Sequence, residues 1–135
     1  MGRIRSKFSP KSKYYISRHA FLTTYYYCLN YPGWKRLHDS MVGLHRSGDD
    51  GPRGGSGDPT ASQAIRLADL AEKIEMIRQT AYAAEPSLHP YLLRYVTEED
   101  MTFDRLKALG IPCEKKMFYD RRRKFYYLMS KQLNL

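Results

Sequence analysis

Apolar positions recur along this chain at helical rather than strand spacing. Tyr14, Phe21, Leu22, Tyr25, Cys28 and Leu29 fall near a 3.6-residue period around Ser17, a residue type that caps helix N-termini. They predict a first helix ending near Leu29. Asn30-Tyr31-Pro32-Gly33 reads as a break, because proline lacks an N–H and asparagine and glycine adopt turn dihedrals cheaply. Trp34, Leu37, Met41 and Leu44 then form one apolar stripe, predicting a second helix over Trp34–His45. Residues 47–57 hold five glycines and a proline and read as a flexible linker. Asp58-Pro59 opens the clearest pattern, Asp58 as cap and Pro59 in the first turn. Its apolar positions Leu67, Leu70, Ile74, Ile77, Ala81 and Ala84 step 3-4-3-4-3 before Pro86 ends the run. Such a seam serves either an intramolecular antiparallel bundle or a homodimer.

The last third contains three shorter patterns. Pro90 starts a helix over Tyr91–Val96. The acidic Thr97-Glu98-Glu99-Asp100 run suits the N-terminus of a helix over Thr102–Leu109, with Phe103, Leu106 and Leu109 turned inward. Gly110-Ile111-Pro112-Cys113 turns the chain into a final helix over Glu114–Gln132, with Ile111 as an apolar plug. No segment reads as a strand. The expected fold is all-α: a helical bundle with a C-terminal helix-turn-helix and a disordered basic N-terminal arm. The expected divisions are an arm (1–13), a helical hairpin (14–46), a linker (47–57), a long central helix (58–86) and the helix-turn-helix (87–135).

Charge changes this picture by pointing to a partner. The chain of 135 residues carries a formal net charge of +9, which favours an acidic partner such as nucleic acid. Residues 1–13 hold Arg3, Arg5, Lys7, Lys11 and Lys13 with no acid. Near the C-terminus, Glu98, Glu99, Asp100 and Asp104 precede Lys115, Lys116, Arg121, Arg122, Arg123 and Lys124. No apolar run reaches the ~18–20 residues of a membrane span, and the N-terminus lacks the apolar stretch of a signal peptide. A cytoplasmic protein is expected, with Cys28 and Cys113 reduced.

At about 100° per residue, Met117, Phe118, Phe125, Leu128, Met129 and Leu133 share one face of the last helix. Lys116, Tyr119, Arg123 and Tyr127 share the opposite face, with Lys115 at its start, and these residues suit base edges and phosphates. Arg121, Arg122 and Lys124 flank that face; the two arginines reach flanking phosphates or pair with the acids of Glu98–Asp104. Three roles fit the arm: Arg3 and Arg5 in a minor groove, a nonspecific phosphate tether, or a solubilising tail. The tyrosine clusters Tyr25–Tyr27 and Tyr126-Tyr127 suit the margins of a small core better than base stacking. His19, His38, His45 and His89 share no metal-ligand spacing with either cysteine, and no constellation supports catalysis. No cofactor, metal or enzymatic activity is expected.

The segment from Thr102 to Ile111, followed by Phe118…Arg121-Arg122-Arg123-Lys124-Phe125…Leu128, resembles region four of bacterial sigma factors. With Tyr25–Tyr31 and Asp58-Pro59-Thr60-Ala61, it is still more similar to RinA/ArpU-type phage transcriptional regulators. Leu106 stands where a helix-turn-helix usually has a small residue, and Pro112-Cys113 lengthens the turn. The resemblance implies a DNA-binding regulator of phage or mobile-element origin. Its partners would be double-stranded DNA and RNA polymerase, with a homo-oligomer as a further expectation. The competing expectation is a non-enzymatic assembly module, a small packaging subunit or polymerase partner, working through the seam of residues 67–84.

Overall fold

The computed structural model describes residues 12–47 and 60–135, and these are all-helical, with no strand among them. The helices are α1 (Arg18–Cys28), α2 (Tyr31–Ser47), α3 (Ala61–Ala84), α4 (His89–Thr97), α5 (Phe103–Ala108) and α6 (Lys115–Gln132). A single 3-10 turn, Pro86–Leu88, joins α3 to α4. Most of the arm and linker expected from the sequence, including Arg3 and Arg5, lies outside the described residues, as do Asp58 and Pro59.

The helix ends follow from local hydrogen bonding. Ser17 Oγ accepts from Ala20 N at 3.1 Å and starts α1 as its sequence position suggested. The expected break at Asn30–Gly33 is shorter than the composition implied. Only Leu29 and Asn30 separate α1 from α2, and Pro32 lies in the first turn of α2, where a missing N–H costs nothing. Asn30 serves both helices: its Nδ2 donates to the carbonyls of Tyr26 and Tyr27, and its own carbonyl accepts from Trp34 N at 2.9 Å. The cap of α3 is Thr60 rather than Asp58. Thr60 Oγ1 accepts from Gln63 N at 3.2 Å while Gln63 Oε1 accepts from Thr60 N at 3.1 Å, which satisfies two end donors reciprocally.

Helix α3 is the central post, packed against α2, α4 and α6, while α1 lies across α6 and α4. Leu70, Ile74, Ile77, Ala81 and Ala84 are buried and Leu67 is half-buried, so the heptad seam is consumed within the chain. The seam is therefore not a free surface for assembly. Large, fully buried side chains, among them Phe21, Leu88, Leu92, Leu106, Phe118, Phe125 and Tyr126, complete the core. Each contributes about 1.5–3 kcal/mol from apolar burial. The rings meet edge to face, Phe21 on Tyr126 at 5.0 Å and Tyr95 on Phe118 at 4.9 Å, an arrangement favoured by the ring quadrupole. Trp34 and Met41 of α2 are only partly buried; the Trp34 ring packs edge-on against Tyr27 and carries the Lys73 ammonium at 5.2 Å.

Four buried hydroxyls are satisfied within their own helices. Thr24 donates to the Ala20 carbonyl, Thr80 to Met76, Thr97 to Leu93 and Ser130 to Tyr127, at 2.7–2.8 Å. Thr97 is thus a core residue and does not cap α5. That role falls to Thr102, whose Oγ1 accepts from Arg105 N at 3.2 Å, with Asp104 in the first turn. Two acids of the run pair with neighbouring arginines, Glu98 with Arg94 and Asp100 with Arg105.

The connection from α5 to α6 spans residues 109–114. Gly110 N donates to the Lys107 carbonyl and Ile111 N to the Leu106 carbonyl, both at 3.0 Å. This paired C-terminal motif requires a left-handed residue, and Gly110 has φ 97°. Ile111 and Leu106 are both buried beneath the turn. A Cβ on Gly110 would meet nothing closer than Tyr91 Oη at 3.9 Å, so the cost of a side chain there is conformational rather than steric. Gly110→Ala is expected to lower stability by about 1–2 kcal/mol without altering the fold, measured by urea unfolding and far-ultraviolet circular dichroism.

Candidate nucleic-acid interface

Helix α6 is long, strongly basic and anchored on one side only. Phe118, Arg122, Phe125, Tyr126, Met129 and Ser130 are its buried residues. This face is rotated by about 60° from the one formed by counting apolar residues, at 100° per residue. The rotation buries Tyr126 and Arg122 and leaves Met117 41% exposed.

Arg122 lies at the centre of this rotated face. The residue is 9% exposed, and its guanidinium lies 5.4–5.8 Å from the ring centroids of Phe21, Tyr95, Tyr119 and Tyr126. The flat, weakly hydrated guanidinium stacks on aromatic faces, whose negative quadrupole offsets part of its desolvation. The expectation that Arg122 reaches phosphates is corrected: it is a core residue. Positions 118, 122, 125 and 129 step 4-3-4, so the spacing of a buried stripe was present, with an arginine at one of its positions.

Arg121 also departs from expectation. It pairs with Asp120 beside it and lies 3.9 Å from Glu85, at the end of α3, rather than with the acids of Glu98–Asp104. Asp120 in turn lies 4.0 Å from Arg123 Nη2. Glu85, Arg121, Asp120 and Arg123 thus form a chain of alternating charge from the end of α3 onto the outer face of α6. Asp120 lies among these bases and offsets one of their charges.

The remaining site residues stay at the surface. Lys115 and Lys116 are exposed, and Arg123 and Lys124 are half-exposed. Lys115, Lys116 and Lys124 pair with no carboxylate among the described residues. Tyr119 is half-buried against Phe103 and Phe118, and burial, reinforced by Tyr95, pushes its phenol pKa upward. It therefore presents a neutral hydroxyl at physiological pH. Tyr127 is half-buried, with the Tyr14 ring at 5.9 Å and the Lys131 ammonium at 5.2 Å from its own ring. Lys116, Arg123, Tyr127 and Lys131 fall in one lengthwise stripe, with Asp120 between the first two.

Other chemistries find little support. Among the described residues, no group of three or more histidines, cysteines or carboxylates could hold a metal ion. Both cysteines are free; Cys28 is fully buried, which raises its thiol pKa strongly, and Cys113 is partly buried. No helix among the described residues is long and apolar enough to cross a membrane. Comparison with protein-family models, curated proteins and solved structures finds no match to the chain.

Arg122→Ala is expected to cost about 3–4 kcal/mol, from two buried methylenes and the desolvated cation–ring contacts. Arg122→Met, which keeps the stem, is expected to cost less. Urea unfolding of both variants checks this; an Arg122→Ala chain as stable as the wild type would overturn the core role.

Proposed function

We propose that the chain is a duplex-DNA-binding transcriptional regulator that reads DNA with the outer face of α6. The single observation that carries this reading is the one-sided anchoring of α6. Phe118, Phe125, Tyr126 and Met129 are committed to the core, while Lys115, Lys116, Arg123, Lys124 and Lys131 face outward along its length. Duplex DNA presents a groove that admits a helix and a phosphate lattice that attracts such a row of cations. In this reading α5 and α6 act as a helix-turn-helix whose six-residue connection is longer than the usual 3–4-residue turn. Lys115, Lys116, Tyr119, Arg123 and Tyr127 contact bases or phosphates, Lys124 contacts the backbone, and Arg121 links Asp120 to Glu85. The resemblance to RinA/ArpU-type regulators adds the setting: cytoplasmic control of phage or mobile-element genes, with RNA polymerase as protein partner.

Fluorescence anisotropy with labelled duplexes at several salt concentrations tests the proposal. A steep fall of log affinity with log salt is expected, flattened by about 1.8 in Lys116→Ala plus Arg123→Ala if both side chains meet phosphates. The double variant should unfold at the wild-type temperature. Equal affinity for all random duplexes would sink the sequence-specific form of the reading. Asp120→Asn removes an opposing charge from the stripe, so its binding to any duplex should tighten; weakened binding would give Asp120 a direct role in base recognition.

A further inference from the structure

The stripe on α6 does not stop where a helix-turn-helix usually makes its contacts. Tyr127 and Lys131, in the last two turns, are joined from outside by the segment that precedes α1. Ser12 turns that segment: its carbonyl accepts from Tyr15 N at 3.1 Å and its hydroxyl from Tyr14 N at 3.2 Å. Ile16, 7% exposed, pins the segment into the core. Tyr14 is thereby set against Tyr127, with ring centroids 5.9 Å apart. The Lys13 ammonium lies 5.0 Å from the Tyr14 ring, and that of Lys131 lies 5.2 Å from the Tyr127 ring. Two exposed lysines from opposite ends of the sequence are therefore each seated on one ring of the same aromatic pair.

We infer that Lys13 and Lys131, seated on Tyr14 and Tyr127, form a second phosphate-contact point for the same duplex that α6 binds. The inference rests on the reading of α6 as a DNA-binding helix. At 1.5 Å per residue, Lys116 and Lys131 are about 22 Å apart along α6. That exceeds the major-groove width of about 12 Å, so a helix lying across the groove brings cations at its two ends to phosphates on opposite walls. The aromatic base restricts both ammonium groups before DNA arrives, which reduces the side-chain entropy lost on binding. A contact point here also places the start of the described chain on the DNA side. Arg3, Arg5, Lys7 and Lys11 precede that point in the sequence.

The experiment uses the full chain and a mixed-sequence 20-base-pair DNA duplex, with affinity measured across a salt series. Lys13→Gln plus Lys131→Gln should flatten the log–log slope by about 1.8 and weaken binding about fivefold or more at moderate salt. Lys13→Arg plus Lys131→Arg should restore both, and neither pair should change Tm, since both side chains are exposed. If the glutamine pair leaves slope and affinity unchanged while the wild type binds, the second contact point is overturned and the α6 reading stands. A wild-type chain that binds no duplex overturns both. A loss that arginine does not restore also overturns the inference, because phosphate contact requires charge rather than lysine.

Discussion

A single guanidinium surrounded by four rings sets the geometry on which everything else rests. Arg122 draws one aromatic side chain from α1, one from α4 and two from its own helix, so three elements distant in sequence converge on one cation. A buried charge is costly in an apolar interior unless its surroundings respond to it. Here the response comes from ring faces, which demand a particular distance and approach. An aliphatic residue at the same position would pack through many rotations of α6; a stacked guanidinium tolerates far fewer. The rotational setting of α6, and with it the identity of every outward-facing residue, follows from that restriction.

Much of this architecture was legible in the amino-acid pattern, and the misses share a cause. The six helices were visible because their apolar spacing, Ser17, Gly110 and the terminating Pro86 all act through local rules of backbone geometry. The seam on α3 was visible too, and the structure decides between its two uses by burying it. The errors arose where a residue acts against its type. Pro32 and Gly33 look like a break yet lie in the first turn of α2. Thr97 looks like part of a cap yet turns its hydroxyl back to Leu93. Arg122 looks like a surface cation yet fills a core position. In each case a tertiary or capping context outweighed the composition of the short segment around the residue.

The electrostatics of α6 follow from the same commitment. With Arg122 withdrawn and Arg121 engaged by Glu85 and Asp120, the basic run is less uniform than its sequence suggests. What remains outside is a row of separate cations spaced along the helix, interrupted by one carboxylate. A continuous block of charge binds any polyanion, whereas spaced cations with an acid among them impose a pattern on what they accept.

The hydroxyls of Thr24, Thr80, Thr97 and Ser130 each close on a carbonyl of their own helix. These buried groups therefore ask nothing of the helix opposite. When a facing apolar residue changes, none of the four loses its partner, and the penalty is confined to shape and volume. The interior can therefore drift through many aliphatic substitutions without breaking these bonds. The aromatic enclosure of the guanidinium lacks that freedom, so divergent descendants of this chain should differ widely in their aliphatic core while retaining the ring set around position 122.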